Sequence, residues 1–127
     1  MKILGIGVDL VKNQRINRLI KNKYFINRTF SKKEIINAKN NKNKINYFAK
    51  RFAAKEAFSK ALGTGISKGI NFNEIIVLNE KSGKPYIKLI NNTKKIVERK
   101  LKKKKYKISL SIADEIDYAV AFVTISL

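Results

Sequence analysis

The chain contains no cysteine. Disulfides and thiolate metal sites are therefore excluded. It contains no histidine either, which removes the commonest general base and zinc ligand, so a His-dependent hydrolytic triad cannot be built from it. Acids are scarce: nine Asp plus Glu stand against 29 Lys plus Arg, for a formal net charge of +20. No apolar run approaches the roughly 18–20 residues of a membrane-spanning helix. The opening MKILGIGVDLVKNQRI sets Asp9 and Arg15 directly behind its apolar stretch, with no small-residue cleavage site, so it is not expected to act as a signal peptide. A cytoplasmic protein away from membranes is the expectation.

The 127 residues, 44% of them hydrophobic, suit one domain over residues 1–127 with a modest core. No repeat, linker or break in composition divides them. The basic balance points to anionic partners, namely nucleic acid, phosphorylated ligands, anionic lipid or an acidic protein. Part of the lysine excess is compositional, since Lys, Asn and Ile are abundant throughout.

KILGIGVD reads as a short buried strand ending in an acid. In LVKNQRINRLIKN, Val11, Ile16, Leu19 and Ile20 fall near helical spacing, and Lys12, Arg15, Arg18 and Lys21 share the other face. SKKEIINAKN opens a helix with Ser31, and Glu34 three residues on completes a capping-box signature. A long helix is expected over residues 45–62, with Gly63 and Gly65 as stops. NEIIVLNEKSGKPYIKLI reads as strand, turn, strand about Ser82, Gly83, Lys84 and Pro85. NTKKIVERKLKKKK gives a basic helix with Ile96, Val97 and Leu101 inward, and the last 22 residues form an antiparallel hairpin about residues 114–117. Helices and strands mix without strict βαβ alternation, so the fold class is α+β, a small antiparallel sheet packed with helices.

Two acids stand out. On the long helix, positions 45, 48, 49, 52, 56 and 59 share a face. Ile45, Phe48, Ala49, Phe52 and Ser59 suit a buried stripe, and Glu56 does not. An unpaired carboxylate there costs several kcal/mol or shifts its pKa, so a cation must compensate: Lys60 four residues on, or a divalent metal. Asp9 closes an apolar strand at the margin of a core. Two hard oxygen ligands, with water and a phosphate, suit Mg²⁺. The alternative is that Asp9 caps the next helix and Glu56 pairs with Lys60 or Lys55. ALGTGISKGI offers glycines with Thr64, Ser67 and Lys68 that phosphates could approach. It lacks the Walker-A pattern and follows a helix rather than opening one, so an ordinary loop is the competing reading.

ILGIGVDLV, RFAAKEAFSKALGTGI, GKPY and SIADEIDYAVAFV, in that order over residues 3–125, resemble the bacterial holo-acyl-carrier-protein synthases, the small class of 4′-phosphopantetheinyl transferases. The G-x-D and F-x-x-K-E-A-x-x-K-A-x-G-T-G segments carry the resemblance jointly. It implies the 4′-phosphopantetheinyl transferase-like fold. It also implies transfer of the phosphopantetheine arm of coenzyme A, as co-substrate, to a serine of an acidic apo-acyl carrier protein. Adenosine 3′,5′-bisphosphate is released, Mg²⁺ is required, and the reaction serves fatty acid biosynthesis. Asp9 and Glu56 match the family's metal ligands and count, with Lys60, as catalytic. The serine's proton acceptor is Glu56, Asp9 or a metal-bound water activated by them. Lys60 is placed to clamp a phosphate. Arg51 and Lys55 serve nucleotide phosphates or are solvated, and Gly63, Thr64 and Gly65 admit the nucleotide. Lys84 and Pro85 border its pocket. Arg15, with Arg18, Lys21 and Phe25 as neighbours, forms a basic face with an aromatic anchor for the acidic carrier. A homotrimer with active sites at subunit interfaces is implied as well.

One departure is the His that many members carry on the last hairpin, where this chain has Ser109. The rival reading is a small basic nucleic-acid-binding domain, resting on net charge, the lysine run 102–105 and Tyr106. Metal dependence separates the two.

Overall fold

The computed structural model describes residues 1–63 and 69–127. β1 spans Ile3–Lys12 and is followed by three short helices, α1 (Asn13–Leu19), α2 (Lys23–Thr29) and α3 (Lys32–Ala38), and by the long α4 (Lys44–Ala61). A 3₁₀ turn, Phe72–Glu74, leads into β2 (Ile75–Asn79) and β3 (Pro85–Leu89), then α5 (Asn91–Leu101), β4 (Lys107–Asp114) and β5 (Tyr118–Ser126). All strand pairing is antiparallel: a three-stranded sheet in the order β1-β5-β4 and a separate β2-β3 hairpin.

α4 is the axis of the molecule. Amphipathic spacing suggests one buried stripe, but Phe48, Phe52, Tyr47, Phe58 and the Ala49-Ala53-Ala57-Ala61 row are all buried, so the helix is enclosed on nearly every side. The alanine row has a partner in β1. A Cβ on Gly5 would lie 1.9 Å from the Ala61 carbonyl oxygen, and one on Gly7 1.9 Å from that of Ala57. Only glycine lets this strand lie directly on this helix. At the far end, Gly63 takes φ +80° and stops α4 at the position expected of it.

β1 departs from the buried strand read from sequence. It continues three residues past Asp9, and its two faces differ. Gly7 and Val11 face inward with Asp9 between them, while Ile6, Val8 and Leu10 are exposed on the other face. Val8 pairs with Phe122, also exposed. Ser109 lies on the same outer face, opposite Thr124.

α2 escaped the sequence pattern. Asn22 caps it, accepting from the amides of Tyr24 (2.8 Å) and Phe25 (3.3 Å). The capping box at α3 is present as expected: Ser31 Oγ accepts from Glu34 N at 3.1 Å, and Glu34 Oε1 accepts from Ser31 N at 2.9 Å. Ser31→Ala removes one of these bonds at a buried helix start, and is expected to lower unfolding free energy by about 1 kcal/mol in urea titration. An unchanged midpoint would mean that solvent replaces the cap.

Candidate active site

The glycine contacts that seat β1 on α4 also set the two acids side by side. Asp9 follows Gly7 by two residues and shares its inward face, while Glu56 precedes Ala57 on the helix. Asp9 does not cap α1, whose N-cap is Lys12 without a side-chain bond. Instead Asp9 Oδ1 accepts from Lys60 Nζ at 2.9 Å, and the same amine donates to the Val8 carbonyl at 3.2 Å. This corrects the i,i+4 reading, since Lys60 is bound to Asp9 rather than to Glu56. Glu56 is half-buried. Burial pushes its carboxyl above the ordinary carboxylate range and the neighbouring charge of Asp9 adds to the rise, while Arg15 and Lys60 oppose it. Two like charges thus lie together at a core margin, with cations on two sides.

Beside Glu56 opens a cleft of about 470 Å³ whose wall includes Arg15, Arg28, Phe25, Phe52, Asn71 and Phe72. Arg15 stacks over Phe52 with its guanidinium carbon 5.4 Å from the ring centre. Phe25 is a correction: it is buried against Phe30 and Phe52 and lines the cleft floor, so it is no exposed anchor. Arg15, Arg18 and Lys21 are exposed as expected. Arg28, held over the Tyr24 ring at 5.1 Å, was missed because α2 was not read as a helix. The cap at Asn22 was its available signal.

Lys55 and Arg51 are corrected most firmly. Neither is solvated. Lys55 is completely buried, with its amine on Glu34 Oε1 and the Phe72 carbonyl (2.8 Å each) and on the Ile75 carbonyl. Burial brings its pKa down to about 8 against the pull of Glu34. With its donors turned inward, Lys55 does not face a nucleotide on this chain. Arg51 is buried too, 3.6 Å over the Tyr47 ring and bonded to Asn79 Oδ1 at 3.0 Å. Lys84 and Pro85 close the β2–β3 turn next to Asn79, away from the cleft wall. Gly63 ends α4 one turn beyond Lys60, and Thr64 and Gly65 lie outside the described residues. The lysines at 102–105 are exposed at the end of α5, and Tyr106 packs on the core instead of forming a stacking platform.

The donor set suits a hard cation. Among the described residues no group of three or more His, Cys, Asp and Glu converges. Asp9 and Glu56 thus offer two carboxylates, the number that Mg²⁺ takes from protein when waters and phosphates complete its shell.

The family model for the 4′-phosphopantetheinyl transferase superfamily matches residues 5–123, and the chain belongs to that family. Within it, the chain is similar to the holo-[acyl-carrier-protein] synthase of Pelagibacter ubique, 52% identical over 123 residues that cover 97% of this chain and 96% of the relative. The corresponding synthase of Ehrlichia chaffeensis is 48% identical over 128 residues, with the same coverage. Among solved structures, the Neisseria meningitidis synthase superposes with a TM-score of 0.89 at 38% identity, covering 98% of this chain and 99% of that one. The Bacillus anthracis synthase in complex with CoA (3′,5′-ADP) gives 0.82 at 34% identity, covering 99% and 98%. The α+β fold expected from sequence is thus the fold of these synthases. Among the described residues, no helix is long and apolar enough to cross a membrane.

Proposed function

We propose that this chain transfers 4′-phosphopantetheine from coenzyme A to a serine of apo-acyl carrier protein, releasing adenosine 3′,5′-bisphosphate. The observation that carries this reading is the Asp9–Lys60 ion pair set beside Glu56, which lines a cleft, within a chain of this family. Asp9 and Glu56 are the proposed holders of Mg²⁺, which when bound neutralises charge developing on the coenzyme A diphosphate. Lys60 orients Asp9 and presents an ammonium to a phosphate oxygen. The carrier serine Oγ attacks the phosphorus that bears pantetheine. A new P–O bond forms, the bond to the bisphosphate oxygen breaks, and the serine proton passes to the Glu56 carboxylate, directly or through a water.

Gly63, Thr64 and Gly65 are proposed to admit the nucleotide beside Lys60. Lys84 and Pro85, at the β2–β3 turn and outside this chain's cleft wall, are proposed to act from a neighbouring subunit. The exposed apolar face of Ile6, Val8, Leu10 and Phe122 supports self-association, and we assign it to the homotrimer. Arg15, Arg18 and Lys21 form the docking face for the acidic carrier, and the cytoplasm, where fatty acid synthesis draws on holo-carrier, is the proposed compartment.

The test is intact-mass measurement of apo-acyl carrier protein incubated with this protein, coenzyme A and Mg²⁺. A phosphopantetheine gain that needs the metal is expected. No gain on any carrier from folded protein would discard the reading. Arg18→Glu, on the docking face but outside the cleft wall, is expected to raise KM for the carrier about tenfold at low salt with kcat kept. The difference should shrink at high ionic strength.

A further inference from the structure

Lys55 is buried, charged and unused by the chemistry above, although it is the residue next to Glu56. Its amine meets three acceptors: Glu34 Oε1, the Phe72 carbonyl and the Ile75 carbonyl. Three acceptors match the three donors of an ammonium. Glu34 is equally spent, its Oε1 also accepting from Ser31 N and its Oε2 from Val77 N at 3.1 Å. Two strands of connection meet in this pair. Lys55 belongs to the helix that carries Glu56, and the carbonyls it holds are those of Phe72, which opens the 3₁₀ turn, and of Ile75, which opens β2 directly behind it. Phe72 and Glu56 line the same cleft, and the Phe72 ring lies 6.2 Å from that of Phe52.

A greasy residue at position 55 would fill the same volume. It would leave the buried Ile75 carbonyl and the partly buried Phe72 carbonyl without this donor, and the turn free to slide along the helix. Ionic pairs in a core are poor sources of stability compared with apolar packing. What this one supplies is direction, because each N–H fixes the place of one carbonyl.

We propose that Lys55 is a positioning residue: paired with Glu34, it ties the Glu56 turn of α4 to the Phe72 wall and so sets the spacing across the cleft. The proposal rests on the transferase reading. Single substitution is uninformative, because Lys55→Met strands a buried carboxylate. The double variant Glu34→Gln/Lys55→Met removes both charges and cuts the ties to the turn.

The experiment measures thermal unfolding, steady-state transfer and amide hydrogen exchange for this double and for wild type. The expected result is a folded double whose kcat is about 10–100-fold lower with KM for coenzyme A little changed, since a misplacement near 1 Å costs about that much. Exchange over residues 71–77 should be at least about tenfold faster. A folded double with wild-type kcat overturns the proposal, because a merely structural pair would leave kinetics untouched. Should the double not fold, Glu34→Gln/Lys55→Gln, whose shorter side chain brings two donors to the place of three and cannot hold both carbonyls at their native spacing, is assayed under the same criterion. If wild type itself transfers nothing, it is the transferase reading that has failed.

Discussion

Glu56→Gln is expected to lower phosphopantetheine transfer by about 10²–10⁴-fold while the protein remains folded. The side chain keeps its size and loses its charge, so in the proposed mechanism the two-carboxylate set falls to one and the serine loses its proton acceptor. Stability should move the other way. Burial and the charge of Asp9 raise the Glu56 pKa in the folded state. A raised folded pKa means that the group favours folding below its unfolded pKa, and that this contribution is lost as pH climbs through the folded value. At neutral pH the ionised Glu56 therefore opposes folding, and Gln removes that opposition. Thermal unfolding without metal, followed upward from below the ordinary Glu value of 4.5, should show the variant gaining on wild type until pH passes the raised folded value, and no further change beyond it. Added Mg²⁺ should raise the wild-type Tm and leave the variant's nearly unchanged. A variant that transfers at the wild-type rate would remove Glu56 from the mechanism.

The largest loss of stability is expected from Gly7→Ala. The new methyl would start 1.9 Å from the Ala57 carbonyl oxygen and 2.7 Å from the Ala61 nitrogen. These are backbone atoms of a helix that is packed all round, so the strand itself must move. A cost of about 3 kcal/mol or more is expected, seen as a fall in Tm of roughly 10–15 °C. Gly63→Ala is the control. That glycine has φ +80° with nothing within 4 Å of its missing Cβ, so only conformational strain of about 1 kcal/mol applies. Similar losses in both variants would mean that backbone freedom, rather than close approach, explains Gly7. Activity per folded molecule should also fall in Gly7→Ala, because the strand that moves carries Asp9 away from Glu56.

Much of the fold was legible because its signals are local. Ser31 and Glu34 are three residues apart and announce a helix start. Gly83 and Pro85 announce the β2–β3 turn, and alternation announces β4 and β5. Glu56 was legible for the opposite reason, since it breaks the pattern around it. α2 was not: Phe25, Ile26 and Thr29 supply too short an apolar period, and its evidence is a single Asn22 cap. The open face of β1 was hidden as well. A strand that alternates glycine with isoleucine, valine and leucine reads as continuously apolar, although its glycines face a helix and its large residues face outward.

The sequence by itself determined the absence of histidine and thiolate chemistry, the α+β class, the two acids that stand out from their surroundings and, through the G-x-D and K-E-A segments, the family to look in. Only the tertiary structure decided which cation serves which acid. Lys60 lies four residues from Glu56 yet binds Asp9, 51 residues away. Lys55 looks like one more surface lysine yet is buried on Glu34, 21 residues back. Helical spacing sets which side chains share a face, but an ammonium goes to whichever oxygen the packing brings within about 3 Å. That choice is made by β1 and α3 closing on α4, through glycines and caps whose partners lie far along the chain.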